Sequence, residues 1–150
     1  MSLKTDGWRL SPDAYPVRLT IPTRFGDMDT NAHLNNVAIA RLVEESRVRF
    51  HYALHEEGGE VSPGGVMVAH VSIDYLGEGE YPADVESAVG IAAIGGSSYR
   101  IAIGLFQKGR AFALAESVMV NVRPGRAGAA PIPPGLRTLL GRYAVVNASG

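Results

Sequence analysis

The stretch from Val37 to Leu54 most constrains the fold of this chain, because it contains neither proline nor glycine. It predicts one long helix with apolar residues on nearly every face, and such a helix must be largely surrounded by other structure. Either Asn35 or Asn36 can cap its start through a side-chain oxygen. Gly58 and the glycine that follows it end the helix.

The sequence around this helix alternates with a period of two, which predicts β-strands. One strand, Tyr15–Ile21, precedes the helix. The strands that follow it are separated by short turns: "VMVAHVSIDYL", "ADVESAVGIAAI", "YRIAIGLF" and "AFALAESVMVNV". Strands joined by tight turns pair antiparallel, and a sheet can surround one apolar helix only if it curls around it. The chain is therefore predicted to be an α+β fold, with a curved antiparallel sheet of about five strands around one long central helix. "PGLRTLLGRY" predicts a short second helix with proline near its start.

Length and composition bound the organisation of the chain. Its 150 residues predict a single domain over 1–150, with 1–12 and 144–150 as flexible ends. A net charge of -1 gives no sign of nucleic acid or of a membrane surface as a partner. Cysteine is absent, and no apolar run is long enough for a membrane span, so a cytoplasmic location is expected. A curled sheet leaves one edge strand and one side of the helix uncovered, which predicts a homo-oligomer, either a dimer or a tetramer.

Polar residues are concentrated just before the helix, in "GDMDTNAHLNN". The start of a helix presents unpaired N–H groups and a partial positive charge, and both stabilise an oxygen that becomes negative during acyl transfer. Asp29 could act there as a general base or as a nucleophile. Asn31 could orient a water molecule, and His33 could hold Asp29 or the substrate carbonyl. For Asp27 and Asn35 the simpler interpretation is a turn or a helix cap.

The segment "DMDTNAHLNNVAIARLVEESR" resembles the signature of hotdog-fold acyl thioesterases of the 4-hydroxybenzoyl-CoA thioesterase superfamily. Their pattern is D-x-D-x-x-G-H-x-N-N-x-x-Y, followed by a helix that contains E-x-A-R or E-E-A-R. The matching residues are Asp27, Asp29, His33, Asn35, Asn36, Glu44, Glu45 and Arg47. The chain departs from the pattern at Ala32, where glycine is usual, and at Ile39, where tyrosine is usual. The resemblance implies a hotdog fold and hydrolysis of an acyl-CoA or acyl-carrier-protein thioester, with no cofactor.

A second resemblance, to plant-type acyl-carrier-protein thioesterases, refines the candidate site. Their D-x-N-x-H-x-N-N motif matches Asp29, Asn31, His33, Asn35 and Asn36. It implies that Asp29 is the nucleophile or base, that Asn31 and His33 support it, and that the N–H of Asn36 polarises the thioester carbonyl. Laying "SIDYLGEGE" on the family's second strand adds a glutamate to the site. That residue is Glu78, for which a solvated loop acid is the competing interpretation.

Candidates for substrate binding are fewer. Asn35 lies beside the predicted catalytic residues. Ser97, Ser98 and Arg100 form a polar spot next to a glycine turn, and arginine suits the phosphates of CoA.

Three alternatives accompany the thioesterase hypothesis. The first is a hotdog protein that binds acyl thioesters without cleaving them. The second is a dehydratase or hydratase, but those enzymes usually have D-x-N-x-x-H spacing, one residue longer than the interval from Asp29 to His33. The third is a metal site, and the spacing of the four histidines argues against it, so no metal is expected. The sequence leaves the acyl group, its carrier and the choice between nucleophile and base open.

Overall fold

The computed structural model describes residues 2–58 and 64–146 of the chain. Its strands are β1 (Val17–Ile21), β2 (Val66–Tyr75), β3 (Val85–Ile94), β4 (Ser98–Gln107) and β5 (Arg110–Asn121). Its helices are α1 (Asn36–Glu56) and α2 (Pro134–Arg142). The predicted α+β fold is confirmed, since a curved five-stranded sheet packs around the long helix α1.

The sheet has the order β1-β3-β4-β5-β2, and every neighbouring pair is antiparallel. β2 therefore lies at an edge, beside β5, although β3 is next to it in sequence. Helix α1 follows β1 and buries Leu42, Val43 and Phe50 against the sheet. Helix α2 closes the same core with Leu136, Leu139 and Leu140, and it begins at a proline as predicted.

Two surfaces are more exposed than the sequence predicted. Helix α1 was expected to be covered on nearly all sides, but Val37 and Tyr52 remain 72% and 68% exposed. The alternating sequence of β2 is typical of a strand with one buried face, but Val68 and Val71 are both exposed. The physical reason is the same for both, because the sheet of a single chain covers only one side of α1 and leaves β2 without an outer neighbour.

The N-terminal segment packs on the outer face of the sheet. Residues 3–14 form three short 3-10 turns, and Tyr15 packs there with Phe106 and Trp8. Arg9 is buried and donates to Glu116, over 2.6 Å. The predicted flexibility of 1–12 and 144–150 stays a prediction, and residues 147–150 lie outside the described part of the chain.

A histidine–tyrosine pair joins α1 to the sheet. Nε2 of His51 lies 2.7 Å from the hydroxyl of Tyr99, which is almost fully buried. Burial, together with the neighbouring charge of Arg47, lowers the pKa of His51 to about 4. His51 is thus neutral in the folded protein at a pH where the unfolded chain already binds a proton.

We expect His51 to make the protein less stable as the pH falls from about 6.5 to 4. In that window the unfolded state binds the extra proton, so the free energy of unfolding drops by at most about 1.4 kcal/mol per pH unit for this group. The free energy of unfolding, measured with urea at each pH, should fall less steeply with decreasing pH for His51→Gln than for the wild type. The exposed His55, one turn further on, provides the control His55→Gln. Equal slopes in wild type and His51→Gln would contradict the expectation.

Candidate active site

The loop between β1 and α1 is anchored by one buried carboxylate. Asp27 is only 2% exposed. It accepts hydrogen bonds from the backbone N–H of Arg24, over 3.0 Å, and from the guanidinium of Arg41, over 2.7 Å. Its own carbonyl accepts the N–H of Asn35, over 2.9 Å. Asp27 therefore fixes both ends of the segment 28–35.

The ionisation of Asp27 depends on these contacts. Burial by itself raises the pKa of the Asp27 carboxyl, but hydrogen bonds from Arg24 and Arg41 outweigh burial and leave that pKa below its ordinary value. The sequence predicted a turn or a cap at Asp27. The turn is confirmed, because the Asp27 carboxylate accepts the backbone N–H of Arg24 in a 3-10 turn.

Helix α1 begins with an asparagine cap, as predicted. Oδ1 of Asn35 accepts the N–H of Ala38 over 2.8 Å, and the carbonyl of Asn35 accepts the N–H of Ile39. The N–H groups of Asn36 and Val37 have no hydrogen-bond partner in the described part of the chain. These two donors, at the positive end of the helix dipole, are available to an oxygen of a bound substrate.

Asp29 organises the turn that leads into the helix. Its Oδ1 accepts the N–H of Asn31, over 2.8 Å, and the N–H of His33, over 3.3 Å. Its own N–H donates to the carbonyl of His33, over 2.8 Å. The side chain is exposed, and among the described residues its Oδ2 has no hydrogen-bond partner, so this oxygen is available to a bound molecule.

Ala32 completes this turn with a positive φ of 62°. Glycine is the residue that adopts such a conformation freely, and the left-handed region costs a residue with a side chain roughly 1 kcal/mol. The absence of the usual glycine is thus accommodated by strain rather than by a different backbone path.

The loop after β2 docks against the Asp29 turn. Oε2 of Glu78 lies 2.9 Å from Nε2 of His33, and the carbonyl of Gly79 accepts the N–H of Leu34 over 2.9 Å. Glu78 is largely exposed on its loop and is paired with His33, a predicted site residue. One short region of the surface therefore holds Asp29, Asn31, His33, Asn36 and Glu78.

Ser97, Ser98 and Arg100 lie elsewhere in the same chain. They are at the start of β4, whereas the loop of Glu78 contacts Gln107 at its end. The length of β4 separates the two places by roughly 30 Å, at about 3.3 Å per residue. Arg100 also pairs with Glu116, over 2.8 Å. Within one chain these three residues are thus remote from the Asp29 turn.

Sequence reasoning missed the two arginines that hold Asp27. The only signal for Arg41 was its position in the second turn of the helix that follows Asp27. Arg24 carried none beyond its nearness in sequence.

Metal binding and membrane spanning find no support in the described residues. Residues 2–58 and 64–146 contain no group of acids and histidines that could hold a metal ion. Within the same ranges, neither helix has the length and apolar character needed to cross a bilayer.

Solved structures share this architecture. A protein of Pseudomonas aeruginosa is 27% identical, with a TM-score of 0.75 over 91% of this chain and 96% of its own. A thioesterase of Thermus thermophilus, solved with coenzyme A and zinc, is also 27% identical, with a TM-score of 0.74 over 87% of this chain and 96% of its own. A 1,4-dihydroxy-2-naphthoyl-CoA thioesterase of Synechocystis shares the fold at 16% identity, with a TM-score of 0.69 over 83% of this chain and 94% of its own. Fold and site together define a thioester hydrolase of the hotdog class.

The family model of the thioesterase-like superfamily matches residues 23–140, from the start of the Asp29 loop to α2. The chain belongs to that superfamily. None of the curated proteins matches the sequence.

Proposed function

We propose that this thioester hydrolase acts on an acyl group carried by CoA or acyl-carrier protein, with Asp29 as its catalytic carboxylate. The observation that carries the proposal is the joint position of Asp29 and the unpaired N–H groups of Asn36 and Val37 in one anchored turn. The relative from Thermus thermophilus, solved with coenzyme A, supports CoA as the carrier.

In the proposed reaction, the thioester carbonyl oxygen accepts the N–H of Asn36. This contact stabilises the negative charge that develops on that oxygen in the tetrahedral intermediate. As a general base, Asp29 takes a proton from water while the water oxygen bonds to the carbonyl carbon. Collapse of the intermediate breaks the carbon–sulfur bond, and the thiolate leaves and takes up the proton. As a nucleophile, Asp29 would attack the carbonyl carbon and expel the thiolate, which forms an acyl anhydride. Water would then open the anhydride, releasing the free acid and restoring the Asp29 carboxylate.

His33, Asn31 and Glu78 are assigned supporting roles. The N–H groups of His33 and Asn31 hold one oxygen of Asp29, which leaves the other oxygen to face the substrate. Glu78 orients the imidazole of His33 through its Nε2. The Asn31 side chain is exposed beside this turn and is assigned to the attacking water. Asn35 is assigned to the helix cap rather than to the substrate.

A second copy of the chain is proposed to complete the site. β2 is an edge strand whose Met67, Val68 and Val71 are exposed, and the exposed Val48 and Tyr52 of α1 provide further apolar surface. If two β2 strands pair antiparallel about a two-fold axis, the start of one lies beside the end of the other. The partner subunit's Ser98 would then lie at the same sheet end as Glu78, roughly 14 Å from β2 at about 4.8 Å per strand. The predicted CoA contacts of 97–100 would thus act across the dimer.

The proposed compartment is the cytoplasm.

A free-thiol release assay over a panel of acyl-CoAs tests the proposed function. We expect thiol and free acid in equal amounts for at least one short, long or aromatic acyl group. Absence of release above the buffer rate across the panel, and with acyl-carrier-protein thioesters, would contradict it.

Sedimentation of the same sample tests the assembly, and a monomer at assay concentration would contradict pairing through β2.

A further inference from the structure

The C-terminal segment 122–146 carries charge of one sign only. It contains no aspartate, glutamate or lysine, and its charged residues are Arg123, Arg126, Arg137 and Arg142. The whole chain has 14 lysines and arginines against 15 acids, so the remainder of the chain has an excess of negative charge. A basic segment on a protein that is otherwise acidic indicates a surface for an anionic partner.

This segment lies across one end of the sheet. The N–H of Val122 donates to the carbonyl of Gly65, just before β2, over 3.1 Å. Nη2 of Arg137 donates to the carbonyl of Gly95, in the turn between β3 and β4, over 2.7 Å. The two carbonyls are two to three strands apart, roughly 10–14 Å at about 4.8 Å per strand. The basic surface is therefore wider than one phosphate group.

The arginine charges on this surface are not neutralised within the chain. Arg123 and Arg137 are exposed, and neither makes an ion pair in the ranges 2–58 and 64–146. The hydrogen bonds of the Arg137 side chain go to uncharged carbonyls. Glu57, at the end of α1, reaches this segment but accepts the hydroxyl of Tyr143. Both guanidinium groups are thus free to attract acidic groups of another molecule.

The basic surface and the Asp29 turn come together only between subunits. Within one chain they lie at opposite ends of the sheet, because the loop of Glu78 contacts the end of β4 and the basic surface covers its start. In the dimer proposed above, the start of one β2 strand lies beside the end of the other. The basic surface of each subunit then lies at the same sheet end as the Asp29 turn of its partner.

We propose that this basic surface docks the acyl-carrier protein that delivers the acyl group, through acidic side chains on that protein. Spread charges of one sign suit a transient protein contact, since they steer the encounter over a wide area. Among the described side chains of 122–142, none that is large and apolar is exposed, so insertion into a lipid bilayer is not supported. The assignment rests on the proposed function, because it names the carrier that the same catalytic turn would serve.

The test is calorimetric binding of apo-acyl-carrier protein, which lacks the phosphopantetheine arm and so reports only the protein surface. We expect Arg123→Glu/Arg137→Glu to weaken binding at least about tenfold, because two attractive contacts become repulsive. Arg123→Lys/Arg137→Lys retains the charge and should bind within about twofold of the wild type. Lys4→Glu, at an exposed cation in the N-terminal segment, is the matched control and should bind like the wild type.

Arg123→Glu alone separates docking from folding, because Arg137 also holds the turn at Gly95 whereas the Arg123 side chain makes no hydrogen bond in the described part of the chain. It should weaken binding about threefold with an unchanged melting temperature. Affinity of the wild type should also fall as salt is raised from about 50 to about 300 mM, because salt screens exposed charges.

Four results would overturn the assignment. They are no binding of apo-acyl-carrier protein to the wild type, equal binding by Arg123→Glu/Arg137→Glu, and an equal loss in Lys4→Glu, which would reflect net charge alone. The fourth is binding to phosphatidylglycerol vesicles that is lost in Arg123→Glu/Arg137→Glu while carrier-protein binding is unchanged, which would make the surface a membrane contact.

This binding test remains separate from that of the proposed function, because it requires no hydrolysis. If no thioester is cleaved, the proposed function fails, while the expected variant effects on apo-acyl-carrier protein would still support the docking surface. In an active enzyme, Arg123→Glu/Arg137→Glu should raise KM about tenfold for an acyl-carrier-protein thioester and leave KM unchanged for the same acyl group on pantetheine. An equal rise for both, or a rise for the CoA thioester alone, would overturn the docking surface.

Discussion

Replacement of Asp29 by asparagine is expected to lower turnover at least about 100-fold, the scale of a lost general base, while the protein stays folded. The amide oxygen of asparagine can still accept the N–H groups of Asn31 and His33, so the turn should keep its shape. What is lost is the negative oxygen that takes a proton from water or attacks the carbonyl carbon. The measurement is steady-state thiol release with the best acyl-CoA of the panel.

The matched control for this variant is Asp13→Asn, at an aspartate whose side chain is 91% exposed and which precedes β1, whereas the Asp29 loop follows β1. It should keep wild-type turnover. Thermal unfolding of Asp29→Asn should follow that of the wild type. Retained turnover in a folded Asp29→Asn enzyme would show that another group performs the chemistry.

Replacement of Asp27 by alanine is expected to cost about 2 kcal/mol of unfolding free energy, because hydrogen bonds to a buried charged group are lost. Arg24 and Arg41 are partly exposed and can return to water, which limits the loss. Turnover should also fall, since the segment 28–35 would lose the group that fixes both of its ends. Urea unfolding at pH 7 measures the first effect, and thiol release measures the second.

The contribution of Asp27 should also depend on pH. Its pKa is lowered in the folded protein, so its contribution is complete above the ordinary aspartate pKa of about 3.9 and is lost as the pH falls further. The gap in stability between wild type and Asp27→Ala should therefore be constant from pH 7 to about 5 and narrow below about 4. Asp13→Ala is the control for both measurements. A gap that stays constant down to pH 3 would contradict the assigned ionisation.

The main elements of the fold were predictable because local patterns determine them. The uninterrupted run after Asn36 gives α1, and strict alternation gives β2 to β5. The cap at Asn35 was predictable for the same reason, since it depends on contacts three residues apart. The pattern could not predict how much of each strand or helix is buried by the rest of the chain. The exposure of β2 follows from its place at the edge of the sheet, beyond β5.

The candidate site was only partly accessible from the sequence. Asp29 and His33 are close in the chain, so their motif placed them together. Glu78 reaches His33 only because the loop after β2 docks on the turn, which is a tertiary contact. Ser98 was a candidate because it lies in a polar spot next to a glycine turn, but the sequence does not say how far that turn lies from the Asp29 turn in the folded sheet.

The most direct measurement of the central claim is a crystal structure of Asp29→Asn with an intact acyl-CoA. The carbonyl oxygen of the thioester is expected within about 3 Å of the N–H of Asn36, at hydrogen-bond distance, with the side chain of residue 29 facing the carbonyl carbon. A thioester bound away from the start of α1, or a carbonyl oxygen directed away from it, would contradict the assignment of this turn as the catalytic centre.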